Sequence, residues 1–118
     1  MTAGQDLLSP LWHHPRRAPD FTVREWELVI GQARRARLLA RLARHCSEMG
    51  LQARLPTGAW RHLDSELTLA QRQRAAVHWE VDCIARALAQ VDTPVVLLKG
   101  AAYLMAGLPP ARGRVFND

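Results

Sequence analysis

One lysine, two cysteines and seven aromatic residues in 118 positions set the first limits on this chain. Two cysteines, Cys46 and Cys83, both in helix-like patterns, give neither a disulfide framework nor a zinc-ligand spacing. A reduced, cytoplasmic protein is therefore expected. No apolar run approaches the roughly 18 residues needed to cross a membrane, so no membrane partner is expected. The opening MTAGQDLLSPLWHHPRR lacks the basic-then-apolar order of a secretory signal. Low-complexity segments and internal repeats are also absent. Aromatics at 6%, with no helix-turn-helix or zinc-finger pattern, leave little for a dedicated nucleic-acid reader.

What the chain does have is apolar content, 48%, enough for one modest domain with a core. It also carries a net charge of +5 and a pI near 10.5. A basic balance favours nucleotide, nucleic-acid or acidic partners through long-range attraction without choosing among them. Arginine supplies all of the positive charge except Lys99. Against that background a lone lysine suggests a point contact to phosphate, since its ammonium is a compact charge on a flexible stem.

The pattern divides into an irregular, proline-rich lead-in (residues 1–20), a helical region (21–93) and a βα-like segment (94–118). In the lead-in, Leu8, Leu11 and Trp12 are the candidate packing residues, and His13-His14 lacks a third metal ligand nearby. The first helix begins at a capping box, with Thr22 as N-cap and Glu25 three residues on. Trp26, Val29, Ala33, Ala36, Leu39, Leu42, Cys46 and Met49 then form one helical stripe that Gly50 ends. Arg34, Arg37, Arg41 and Arg44 recur on another face.

Pro56 opens the next helical region. Leu63 and Leu67 begin an apolar face, and Val77, Val81, Ile84, Leu88 and Val91 continue one, as a single helix or as two. Trp60 and Trp79 read as packing residues, and His78 and Asp82 share a face. Pro94 ends this region. Val95–Leu98 then reads as a buried strand, Lys99-Gly100 as a turn, and Ala101–Leu108 as a short helix. Gly113–Phe116 returns to extended structure. A strand, a Lys-Gly turn and a helix outline a phosphate cradle: Gly100 admits a ligand to the backbone, and the helix presents free N–H groups. The glycine follows the lysine, so this is not a Walker A loop.

The stretch LLKGAAYLMAGLPPARGRVFND resembles the opening of the uncharacterised nucleotidyltransferase family, related to the polymerase β-type superfamily. Leu98-Lys99-Gly100 matches the family's L-K-G element, and Arg114, three residues and Asp118 match the start of its R-x-x-x-D-[IV]-D segment. The resemblance implies a mainly α chain: a helical N-terminal region followed by an incomplete βα unit of the α/β nucleotidyltransferase fold. It implies that Asp118 is the first carboxylate of a D-x-D pair holding a divalent metal, usually Mg²⁺, since carboxylates one residue apart on a strand point the same way. It places Lys99 and Gly100 at the phosphate-facing turn and Arg114 beside Asp118 or a phosphate. The partners implied are a nucleoside triphosphate and an unidentified acceptor. Ala101 stands where the superfamily usually has Ser or Gly, and sixteen residues, 102–117, separate the turn from Asp118. The pattern reads as a catalytic domain cut at its first carboxylate, so the expectation is an inactive fragment. The alternative is a small basic helical module that binds nucleic acid or a partner protein.

Overall fold

A computed structural model describes residues 5–111. They are mainly helical, with no strand among them. Five α-helices run in order: α1 (Leu8–His13), α2 (Val23–Arg35), α3 (Leu39–Glu48), α4 (Thr57–Ala87) and α5 (Lys99–Met105). Short 3₁₀ turns occupy Pro15–Asp20, Gln52–Arg54 and Pro109–Ala111.

The lead-in is more ordered than its prolines suggested. Leu7, Leu8 and Leu11 are buried. Gln32 on α2 fastens the segment: its Oε1 accepts from the backbone N–H of Leu7 (3.0 Å) and of Leu8 (3.1 Å), and its Nε2 donates to the Gln5 carbonyl. The Trp26 indole N–H donates to the Ala18 carbonyl at 3.2 Å, so the 3₁₀ turn also seats on α2.

The capping box forms as the sequence predicts. Thr22 Oγ1 accepts from the Glu25 N–H (3.1 Å), and Glu25 Oε1 accepts from the Thr22 N–H (3.0 Å). The single helix expected over 22–49 does not form. It breaks at Arg37, whose φ is +58°. The break is a left-handed closing turn: Arg37 N–H bonds back to the Arg34 carbonyl (3.1 Å) and Leu38 N–H to the Ala33 carbonyl (2.8 Å). The same pair of bonds ends α3 at Gly50 (φ +68°) and α5 at Gly107 (φ +68°). Glycine occupies that position without steric penalty; at Arg37 a side chain occupies it. Periodicity missed the break because the apolar spacing survives it. Both helices turn their stripes into one core, in which Trp26, Val29, Ala33, Leu42, Ala43 and Cys46 are nearly inaccessible.

The next region is one helix, α4, of 31 residues, roughly 46 Å long. Ser65 lies within it, and its hydroxyl donates to the Arg61 carbonyl one turn back (2.9 Å). The first half packs on α3 and α2, with Ala59 and Leu63 in the shared core. The second half leaves the core. Trp79 (67% exposed) and Ile84 (50%) lie open, as does Val91 (52%) beyond the helix end, so Trp79 is not the packing residue the sequence suggested. The radius of gyration is 17.5 Å, against about 13–14 Å for a compact chain of this length.

Val95–Leu98 is not a buried strand among the described residues. Leu98 has extended geometry (φ −121°, ψ 157°). No described strand pairs with the run, and Val96 and Leu98 are 75% and 71% exposed. A lone extended segment has no ladder to satisfy its backbone or cover its side chains. Val95 and Leu97 instead close one side of an apolar groove of about 310 Å³, whose other side is Val81, Ile84, Ala85 and Leu88 of α4.

Candidate functional site

The turn between the extended run and α5 carries the cation singled out by sequence. Lys99 is exposed, Gly100 is buried, and α5 packs against α4. The backbone irregularity falls one residue earlier than Gly100 suggested: Lys99 itself has φ +58° and opens the helix. A non-glycine residue in this region costs about 1–2 kcal/mol, so surrounding structure must hold it there. The helix begins at Lys99 rather than Ala101 and ends at Met105, with Gly107 closing it. Arg114 and Asp118, the other two residues of the sequence motif, lie outside the described residues, as does the return to extended structure at 113–116.

Metal ligation finds no support among the described residues. No group of three His, Cys, Asp or Glu side chains converges there on a possible cation position. His13 is engaged elsewhere, its Nδ1 lying 2.8 Å from the Ser9 carbonyl. Asp118, the metal ligand that the resemblance implies, lies outside the described residues.

The break at Arg37 also divides the arginine stripe. Arg34 belongs to α2, while Arg41 and Arg44 belong to α3. The latter two share a surface pocket of about 220 Å³ with Trp12, His45, Glu48 and Pro109. The rings of Trp12 and His45 stack, with centroids 5.5 Å apart and planes 15° from parallel. Arg44 Nε meets Glu48 Oε1 at 2.8 Å. Sequence reasoning missed this cluster. Residues 41, 44, 45 and 48 share a face of α3 by spacing alone, but Trp12 and Pro109 reach it only through tertiary folding.

Both cysteines are free. Cys46 is buried in the core, and the burial pushes its thiol up to about 11, which makes it inert packing rather than a nucleophile. Among the described residues no helix is long and apolar enough to cross a membrane.

Compared with known protein families, the chain matches the model described as uncharacterised nucleotidyltransferase over residues 22–118, most of its length. No curated protein and no solved structure matches it. The chain belongs to the uncharacterised nucleotidyltransferase family.

Proposed function

We propose that this chain, a member of the uncharacterised nucleotidyltransferase family, contributes the helical region and phosphate-facing turn of an enzyme moving a nucleotidyl group from a nucleoside triphosphate to an acceptor. The observation that carries the reading is the family match, which spans the Lys99-Gly100 turn and the Arg114-x-x-x-Asp118 segment in one stretch. The turn itself supports it. Lys99 is an exposed cation on strained backbone, beside a residue without a side chain. Strain of this kind persists where a side chain must be held in place.

In this reading Lys99 contacts the triphosphate as a point charge, and Gly100 lets the phosphate approach the main chain. Arg114 orients Asp118 or neutralises phosphate. Asp118 is a carboxylate ligand of a divalent cation, Mg²⁺ in the proposal, which would supply charge neutralisation at the phosphates.

Calorimetric titration with ATP, GTP, CTP and UTP, with and without Mg²⁺, tests the reading. Saturable binding that Lys99→Gln weakens about tenfold, roughly 1.4 kcal/mol, supports it. Binding that is absent, or unchanged in that variant, overturns it.

A further inference from the structure

We propose that the pocket between α1, α3 and the Pro109–Ala111 turn is a binding site for the phosphate group of a small molecule. It is separate from the Lys99-Gly100 turn and does not depend on the role assigned to that turn.

Three parts of the chain far apart in sequence converge there: Trp12 from α1, Arg41, Arg44, His45 and Glu48 from α3, and Pro109. Glu48 positions Arg44 rather than cancelling it. The carboxylate takes Arg44 Nε, and the terminal nitrogens of the guanidinium form no hydrogen bond with another described residue. Those nitrogens form the planar fork that matches two oxygens of a phosphate. Beside the Arg44–Glu48 pair the pocket is lined by a second arginine, Arg41, and by His45. The stacked Trp12–His45 pair forms one wall from rings held on two different helices, so the wall is built by the fold and is not a chance of surface side chains.

Size and shape select the ligand class. A volume of about 220 Å³ is below the roughly 300–1,000 Å³ of pockets that enclose drug-sized molecules. A phosphate or pyrophosphate group fills that volume, and anything attached to it would project into solvent. An extended nucleic-acid backbone calls for a groove with repeated cations and open aromatic faces. Here the arginines are confined to one concave spot, and Trp12 is already stacked on protein.

The test is a two-dimensional NMR titration of the whole chain with pyrophosphate and, separately, inorganic phosphate. It follows the Trp12 indole N–H, assigned with Trp12→Phe. We expect a saturable shift of that resonance. Arg44→Gln should weaken binding at least tenfold and Arg44→Lys by less, because lysine keeps the charge and loses the fork. Arg61→Gln, the same charge change on an exposed part of α4, should change it less than twofold. Should Arg44→Gln lose its helical circular dichroism, the Arg44→Lys and Arg61→Gln pair decides. The proposal fails if the Trp12 resonance does not saturate. It also fails if Arg44 and Arg61 substitutions weaken binding equally, the mark of diffuse attraction. A short RNA that binds through Trp12 and is not displaced by pyrophosphate would overturn it in favour of a nucleic-acid surface.

Discussion

The Trp12 indole stacks on the His45 imidazole with ring centroids 5.5 Å apart and planes 15° from parallel, joining the first helix of the chain to the third. Such pairs contribute about 0.5–1.5 kcal/mol beyond their buried area. A double-mutant cycle on Trp12→Leu and His45→Ala, followed by urea denaturation, should give a coupling in that range. Additive effects would mean that the rings only lie near each other.

Arg37 and Gly50 occupy equivalent closing turns, at φ +58° and +68°. Arg37→Gly should stabilise the fold by about 0.5–1 kcal/mol. Gly50→Ala should destabilise it by about 1 kcal/mol, although a Cβ there would meet nothing within 4 Å. Opposite shifts in the denaturation midpoint, with unchanged slope, check both expectations.

Gln32 satisfies two backbone N–H groups of the lead-in at once. Gln32→Ala leaves both without that acceptor and should cost about 1–3 kcal/mol. The local signature is faster hydrogen exchange at Leu7 and Leu8 than at the α3 core.

The Cys46 thiol moves from 9.0 in the unfolded chain to about 11 in the fold, through burial. Both states hold the proton below pH 9, so the contribution is intact there. Between pH 9 and 11 the unfolded state ionises while the folded state does not, and stability falls as pH rises. The loss levels off above pH 11 at about 2–3 kcal/mol. Relative to Cys46→Ala, the wild-type chain should lose stability by this amount across that window. A parallel pH profile for the two would contradict it.

Lys99 holds a backbone conformation that glycine adopts freely. Lys99→Gly should raise stability by about 0.5–1 kcal/mol while weakening triphosphate binding, a trade of stability against function. A variant that is less stable than wild type would show that the Lys99 side chain is structural.

Much of this was legible in the residues. The capping box at Thr22–Glu25, the burial of Trp26, Val29, Ala33, Leu39, Leu42 and Cys46, and the closure at Gly50 follow from local chemistry, and they form; Ala36 and Met49 of the same stripe are exposed. The break at Arg37 was not legible, because an arginine stands where glycine marks the other two closing turns. The exposure of Trp79 and the open half of α4 were hidden for a different reason: a helical stripe shows which face is apolar and not what covers it. Val95–Leu98 has strand composition, but a strand requires a partner, and none is present among the described residues. For the site, Lys99 and Gly100 stood out by composition and order. The Trp12 and Arg44 cluster needed folding to assemble.

The measurement that bears most directly on the central claim is amide hydrogen exchange at Gly100 and Ala101 with and without ATP and Mg²⁺. The account predicts protection at these two amides that saturates with ATP, disappears in Lys99→Gln and persists in Arg44→Gln. Exchange unchanged by ATP, or protection that survives Lys99→Gln, would contradict the assignment of this turn to the triphosphate.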